Sequence, residues 1–241
     1  MKTIAFIPAR YAATRFPGKL MQKLGDKTII RHTYDNTVAT LLFDEVIVVT
    51  DSEIIFDEII QNGGYALMSK KQHESGSDRI AEAVAGIDVD IVVNVQGDEP
   101  FVKKSLLESL LIAFNHDLNE ELKVASLMYP LVNEEIIHNP NHVKVVVDKN
   151  SNALLFSRSV IPFHRDKNAS VTYYKHVGMY AFRKSALMDF TSWEATPLER
   201  IEKLEQLRYL ENGVKIKMVV TDESPLSIDT PEDFENAKKL M

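Results

Sequence analysis

Short apolar segments alternate with helix-like stretches along the first half of this chain. The apolar segments predict strands near residues 3–8, 45–50, 65–68 and 90–95. Between them, helical spacing of apolar residues predicts helices near residues 28–39, 52–62, 77–85 and 103–115. The segment 90–95 is apolar enough for a central parallel strand. This alternation predicts an α/β fold, in which helices flank a wound, mostly parallel sheet.

The pattern changes after about residue 120, where extended segments become longer. They lie near residues 123–129, 142–148, 153–157 and 173–182, and they predict a mixed or antiparallel part of the sheet. A helix near 198–211, a strand near 215–220 and a helix near 231–240 complete the pattern. Thr230 is a good N-cap for the last helix, with Pro231 at its first position and Asp233 as the capping-box acid. We therefore expect a mixed sheet with a smaller extended subregion.

Composition narrows the classes of function. A length of 241 residues suits one large α/β domain. The formal charge of −7 argues against general binding to nucleic acid, whose phosphates would be repelled. The absence of cysteine excludes disulfides, zinc-thiolate sites and cysteine nucleophiles, and it fits a cytoplasmic protein. No segment is long and apolar enough to span a membrane, and the first apolar run ends at Arg10, so we expect no membrane partner.

A basic loop follows the first predicted strand. Arg10, Arg15 and Lys19 fall within ten residues, and Pro17-Gly18 predicts a sharp turn directly before Lys19. Such a loop suits several phosphate groups. It matches neither the Walker A pattern nor the dinucleotide-binding glycine pattern, and a surface turn with three unrelated cations is the alternative.

Two acidic motifs are candidates for a metal site. Asp98 follows the predicted central strand within Asn94-Val95-Gln96-Gly97-Asp98, at the sheet edge where α/β proteins bind ligands. Gly97 permits close approach of the backbone, and a carboxylate is a suitable Mg²⁺ ligand. Because Thr230 can cap the last helix, Asp229 is available for another role. An ordinary turn at Asp98 and a helix-start acid at Asp229 are the alternatives.

A polar loop precedes the third predicted helix. It reads His73-Glu74-Ser75-Gly76-Ser77-Asp78-Arg79 and offers backbone N–H groups, hydroxyls and a guanidinium to a base or a phosphate. A plain loop with Ser75 or Ser77 as the N-cap is the alternative.

Taken in order, these motifs resemble one family nearly from end to end. Further motifs that carry the resemblance are Asn139-Pro140-Asn141 with Val143-Lys144-Val145-Val146, Phe156-Ser157-Arg158, Leu204-Glu205-Gln206-Leu207-Arg208 and Asp229-Thr230-Pro231-Glu232-Asp233. The chain resembles the 3-deoxy-manno-octulosonate cytidylyltransferases, also called CMP-Kdo synthetases. Several motifs in the right order are more specific than any one of them.

The resemblance implies an enzyme that joins CMP from CTP to 3-deoxy-D-manno-octulosonate (Kdo), releasing pyrophosphate, for lipopolysaccharide biosynthesis. It implies Mg²⁺-assisted in-line attack of the anomeric hydroxyl on the α-phosphorus, a homodimer and a cytoplasmic location. Within a single domain spanning 1–241, residues 1–120 would mainly bind nucleotide, and residues 121–241 would mainly serve sugar binding and dimerisation.

The resemblance also implies roles for individual residues. Arg10, Arg15 and Lys19 would hold the CTP phosphates, with Arg10 and Lys19 also catalytic. Ser75, Gly76 and Arg79 would lie near the cytosine or ribose. Asp98 and Asp229 would be catalytic and carry Mg²⁺. The sugar acid would be bound by Gln96, Arg158, His176, Tyr180, Glu205 and Gln206.

Two positions depart from the family pattern, and three other functions stay open. Leu20 replaces a frequent proline and Ser77 a frequent threonine, without loss of a charge or a metal ligand. A CMP-sialate synthetase would share the phosphate loop but differ in the sugar half. A sugar-1-phosphate nucleotidyltransferase would usually have glycines where Ala12 and Ala13 stand. A catalytically silent nucleotide sensor would be favoured by loss of a metal carboxylate, yet both candidates are present.

Overall fold

The computed structural model describes residues 1–12, 16–73, 75–115, 117, 119–223 and 225–241. The chain divides into two compact units, one formed by Met1–Glu108 with Pro225–Met241 and the other by Ser109–Ser224. The interpretation of residues 1–241 as one domain, with a change of role near residue 120, stays a prediction.

The first unit contains a parallel sheet. Its strands are β1 (Thr3–Ala9), β4 (Glu45–Thr50), β5 (Ala66–Met68) and β6 (Ile91–Asn94), and a short hairpin is formed by β2 (Lys23–Leu24) and β3 (Lys27–Thr28). Strand β1 pairs in parallel with β6 and β4, and β4 pairs in parallel with β5. Four consecutive residues of β1, Ile4 to Ile7, are fully buried, as expected for a strand covered on both faces.

Helices connect these strands, as the apolar spacing predicts. They are α1 (Ile29–Ala39), α2 (Glu53–Gln61), α3 (Gly76–Val84) and α4 (Lys104–Asn115), and α4 includes the division between the units. The C-terminal helix α9 (Pro231–Lys238) belongs to the first unit and has the predicted capping box of Thr230 and Asp233. Among the described residues, no helix combines the length and apolar character needed to cross a bilayer.

The second unit contains a mixed sheet. Its strands are β7 (Val124–Leu131), β8 (Lys144–Val147), β9 (Ala153–Ser157), β10 (Tyr173–Arg183) and β11 (Ile216–Val220). Strand β10 runs antiparallel to β7 and β8, β8 is antiparallel to β9, and β11 is parallel to β7. Its helices are α5 (Glu134–His138), α6 (Lys184–Ser192), α7 (Pro197–Glu202) and α8 (Leu207–Glu211). The predicted α/β class, with a mixed, mostly parallel sheet and flanking helices, is confirmed.

The prediction of one helix near 198–211 is wrong, because the chain turns at Lys203. Lys203 has a left-handed backbone (φ 55°) and ends α7, and Leu204, which follows it, is buried. Two hydrogen bonds attach Glu202, the last residue of α7, to β9 and the residue after it: Ser157 Oγ donates to Glu202 Oε1 (2.6 Å), and the Arg158 N–H donates to Oε2 (3.0 Å). These tertiary contacts override the helical charge pattern. The sequence pattern also missed α5 and α6.

Replacing Lys203 with glycine should stabilise the protein. A non-glycine residue in the left-handed region is strained, so Lys203→Gly should raise the free energy of unfolding by about 0.5–1 kcal/mol in urea titrations. Lys203→Ala, which removes the same charge but keeps Cβ, is the control and should give no such gain. Equal effects of both variants would show that the backbone at this turn is not strained.

Candidate active site

A polar cavity of about 320 Å³ lies in the first unit. It brings together eight residues that the sequence nominated: Arg10, Lys19, Ser75, Gly76, Arg79, Gln96, Asp98 and Asp229. The predicted phosphate ligand Arg15 lies outside the described residues. Residues from four distant parts of the sequence therefore share one concave surface.

The Lys19 ammonium group contacts both predicted metal carboxylates. Its Nζ lies 2.5 Å from Asp98 Oδ2 and 3.0 Å from Asp229 Oδ1. The Lys19 and Asp98 side chains are 13% and 21% exposed, so water screens this contact less than a surface pair. Burial alone would lower the pKa of Lys19, but Asp98 and then Asp229 outweigh it and raise that pKa. Lys19 is therefore firmly cationic.

The backbone explains why Asp98 and Asp229 meet. The carbonyl of Asp98 accepts a hydrogen bond from the Ile228 N–H at 2.9 Å, which fixes the C-terminal segment beside the end of β6. Asp233 Oδ2 accepts the N–H groups of Asp229 (3.1 Å) and Thr230 (2.8 Å). Since Thr230 and Asp233 form the helix cap, the Asp229 carboxylate is not needed there and reaches Lys19 instead. The sequence predicted that Asp229 was available for another role, but not this contact.

Gly97 sets the close fit of the turn after β6. A Cβ atom at Gly97 would lie 3.1 Å from the Pro8 carbonyl oxygen and 3.3 Å from Ile30 Cδ1. The Gly97 carbonyl accepts a hydrogen bond from the buried Thr33 hydroxyl at 2.9 Å. The backbone before Asp98 is thus fixed against β1 and α1.

The predicted base-binding loop begins α3. The Ser75 side chain caps this helix by accepting from the Asp78 N–H at 3.1 Å, so Ser75 rather than Ser77 is the cap. A Cβ atom at Gly76 would lie 3.1 Å from Pro8 Cγ, so the loop packs closely against the end of β1.

Arg79 is mostly a structural contact. It is 4% exposed, its Nη1 donates to the Ala9 carbonyl (3.1 Å), and its Nη2 contacts Asp51 Oδ2 (2.8 Å). Burial lowers the pKa of Arg79, Asp51 opposes that effect and Arg10 adds to it. Among the described atoms, its buried Nε has no hydrogen-bond partner. Arg79 therefore joins the ends of β1 and β4.

His73, the first residue of the predicted polar loop, has no role of its own in the sequence prediction, yet it also lines the cavity. His73 Nε2 lies 2.6 Å from Glu82 Oε2 on α3, and Glu82 Oε1 accepts the Lys70 N–H at 3.1 Å. Burial would raise the pKa of Glu82, but these two hydrogen bonds lower it. Glu82 thereby holds the segment before α3 in place. The spacing of nine residues between His73 and Glu82 gives no sequence signal for this contact.

In the second unit, four predicted sugar-acid residues lie near one another. The His176 and Tyr180 rings are 5.4 Å apart, and Gln206 Nε2 lies 3.4 Å from His176 Nδ1. Burial raises the pKa of Tyr180 well above its usual value, and the charge of Glu205 adds to this. Predicted residues His176, Tyr180, Glu205 and Gln206 therefore form one cluster.

Ser126, which the sequence did not nominate, fixes the state of His176. Ser126 Oγ donates to the Met179 carbonyl (2.8 Å), so His176 Nε2, at 2.9 Å, is the donor to Ser126. His176 Nδ1 then accepts from Gln206. Burial lowers the pKa of His176 to about 3, so the ring is neutral at physiological pH. The contact between Ser126 and His176 lies where the β10–β7 pairing is irregular, between Val177 and Tyr180.

The fifth predicted sugar-acid residue of the second unit, Arg158, follows β9. Its Nε donates to the Glu202 carbonyl at 2.8 Å and its Nη1 to the Pro140 carbonyl at 3.1 Å. Much of its hydrogen-bonding capacity is therefore used by the protein backbone.

Comparison with known proteins identifies the family. A family model described as cytidylyltransferase matches residues 4–216. The 3-deoxy-manno-octulosonate cytidylyltransferase of Flavobacterium johnsoniae is 61% identical over 241 residues, covering 100% of this chain and 99% of its own length. That of Christiangramia forsetii is 58% identical, covering 100% and 97%. The chain belongs to the 3-deoxy-manno-octulosonate cytidylyltransferase family.

A solved structure supports the same assignment. The chain is similar to a CMP:2-keto-3-deoxy-manno-octonic acid synthetase complexed with CTP, with a TM-score of 0.94, 36% identity and coverage of 100% of this chain and 98% of the other. A 4-diphosphocytidyl-2C-methyl-D-erythritol synthase from Anaerococcus prevotii, at 17% identity and a TM-score of 0.65, shares the fold. The predicted family and the prediction of a cytidylyltransferase enzyme are confirmed. The roles of the individual residues stay predictions.

The neutral state of His176 predicts a pH dependence of stability. The folded-state pKa of His176, about 3, is below the usual histidine value of 6.5. Below pH 6.5 the unfolded chain therefore binds a proton at His176 that the folded chain does not. The free energy of unfolding therefore decreases as the pH is lowered. The contribution of His176 to the free energy of unfolding is highest above pH 6.5. Lowering the pH from 7 to 5 should reduce the free energy of unfolding by about 2 kcal/mol through His176.

Urea titrations of His176→Asn at both pH values should show a correspondingly smaller change than the wild type. His138→Gln, at an exposed histidine, is the control and should retain the wild-type change. If His176→Asn lost as much stability as the wild type between pH 7 and pH 5, His176 would not be held neutral.

Proposed function

We propose that this family member transfers CMP from CTP to 3-deoxy-D-manno-octulosonate, forming CMP-Kdo and releasing pyrophosphate. The observation that carries the proposal is the meeting of Asp98 and Asp229 at one cation, in a cavity that Arg10 also lines. The names of the relatives supply the substrates, and the structural relative was solved with CTP.

The cations of the cavity suit a nucleoside triphosphate. CTP carries about four negative charges, and two unit charges ~4 Å apart interact by about 4 kcal/mol at an effective dielectric near 20. A second, carboxylate-bearing substrate is therefore repelled unless cations compensate. Arg10 and Lys19, together with Arg15 by the resemblance, hold the phosphates and stabilise the departing pyrophosphate. The cavity donors Ser75, Gly76 and Arg79 serve the cytosine or ribose.

Asp98 and Asp229 fit a Mg²⁺ ion. Both are carboxylates, and one oxygen of each lies within 3.0 Å of the same nitrogen atom, so the pair already surrounds a positive charge. Among the described residues, no group of three or more acidic, histidine or cysteine side chains is placed to hold a metal. This agrees with Mg²⁺, which proteins bind through one or two carboxylates plus substrate phosphates and water. When bound, the ion neutralises phosphate charge and lowers the pKa of a coordinated hydroxyl.

The reaction needs no covalent enzyme intermediate. The anomeric hydroxyl of the sugar acid attacks the α-phosphorus in line, and the new O–P bond forms as the bond to pyrophosphate breaks. The hydroxyl proton ends on the departing pyrophosphate, reaching it directly or through water, so that charge balances. The proposed contacts of the sugar acid, taken from the family resemblance, are Gln96, Arg158, His176, Tyr180, Glu205 and Gln206. We further propose a cytoplasmic homodimer that serves lipopolysaccharide biosynthesis, as the family resemblance implies.

Neutralising either carboxylate should abolish turnover. Asp98→Asn and Asp229→Asn keep size and hydrogen bonding but remove the charge, so pyrophosphate release from CTP, Kdo and Mg²⁺ should fall at least about 1000-fold. Asp57→Asn, at an exposed position of α2, is the matched control and should have wild-type activity. Near-normal turnover of the Asp98 or Asp229 variant, with the fold intact, would refute the assignment.

The sugar substrate should be tested directly. The wild-type protein should form a CMP-sugar from CTP with Kdo and not with a sialic acid. Preference for sialic acid would instead support the CMP-sialate alternative, because both reactions use the same nucleotide.

A further inference from the structure

A buried lysine lies at the start of β8 in the second unit. Lys144 is 0% exposed, and its Nζ donates to the carbonyl oxygens of Asn139 (3.0 Å) and His142 (2.5 Å). Burial lowers its pKa, the charge of Arg158 adds to this and Glu202 opposes it. A buried cation is costly, and an apolar side chain of similar volume would often pack as well. The burial of the Lys144 ammonium group therefore points to a role other than packing.

Both hydrogen bonds of Lys144 end on one turn, residues 139–142. The Asn139 side chain accepts the Asn141 N–H at 2.9 Å, which closes the turn. The carbonyl of Pro140, between the two carbonyls bound by Lys144, accepts from Arg158 Nη1 at 3.1 Å. Three carbonyls of this turn therefore contact two cations.

Arg158 is held from its other side by Glu202. Its Nε donates to the Glu202 carbonyl at 2.8 Å, and the Glu202 carboxylate accepts the Arg158 N–H and the Ser157 hydroxyl. In the strand register, Ser157 lies directly opposite Lys144. Lys144 and Arg158 thus bring two positive charges to a region where Glu202 supplies one negative charge, which favours an anionic ligand.

We propose that Lys144 is a positioning residue for the sugar-acid substrate, acting through the turn 139–142 to hold the Arg158 guanidinium where the substrate carboxylate binds. The inference rests on the proposed function, since it takes Arg158 as a contact of the sugar acid. Lys144 itself is buried and does not touch substrate. Its two bonds fix the turn, and the Pro140 carbonyl of that turn orients Arg158.

The test is the effect of Lys144→Met on steady-state kinetics. The KM for Kdo should rise about tenfold, while kcat and the KM for CTP stay within about twofold of wild type. Lys149→Met, the same change at an exposed lysine two residues beyond β8, is the matched control and should leave all three constants unchanged.

A double-mutant cycle separates positioning from general destabilisation. If Lys144 acts through Arg158, then adding Lys144→Met to Arg158→Ala should raise the KM for Kdo by less than about twofold further. Should Lys144→Met fail to fold, Asn139→Ala, which removes only the side-chain bond closing the turn, carries the same test with an expected rise of about threefold.

An unchanged KM for Kdo, an equal change in the KM for CTP, or additive effects in the cycle would each overturn the inference. Those results require a wild-type enzyme that uses CTP and Kdo. Absence of product from the wild type would instead mean that the proposed function is wrong, so the two failures are distinguishable.

Discussion

The candidate active site depends on one electrostatic contact, that of the Lys19 ammonium with the carboxylates of Asp98 and Asp229. Two carboxylates this close repel each other unless a cation lies between them. The contact joins the loop after β1, the turn after β6 and the segment before α9, which are far apart in the sequence. Removing Lys19 would take away the cation that both carboxylates contact, so holding the two negative charges close together would cost more electrostatic energy.

The structure around this contact fixes its members before any ligand binds. Gly97 allows the turn after β6 to lie against Pro8, and the capping box of α9 holds the backbone of Asp229. Arg79, which also lines the cavity, joins the ends of β1 and β4. Polar groups held in this way need little rearrangement when negative charge develops on a phosphate, which is the usual basis of electrostatic catalysis.

Much of this arrangement could be predicted from the sequence, because it depends on local signals. Apolar runs identified β1, β4 and β6, and the capping pattern at Thr230 identified Asp229 as a side chain available for another role. The break at Lys203 could not be predicted, because it follows from the attachment of Glu202 to a strand some 45 residues earlier. The neutral form of the His176 ring could not be predicted either, because the pairing of β7 with β10 is what brings Ser126 to it. Arg79 and Arg158 look like ligand-binding cations in the sequence, yet both use donors on backbone carbonyls.

The central claim is that Asp98 and Asp229 act together as one cation site. Its most direct test is anomalous diffraction from crystals of the protein grown with CTP and Mn²⁺ in place of Mg²⁺. We expect a manganese peak in coordination contact with a carboxylate oxygen of both Asp98 and Asp229. Manganese bound elsewhere, with these two carboxylates facing apart, would contradict the account.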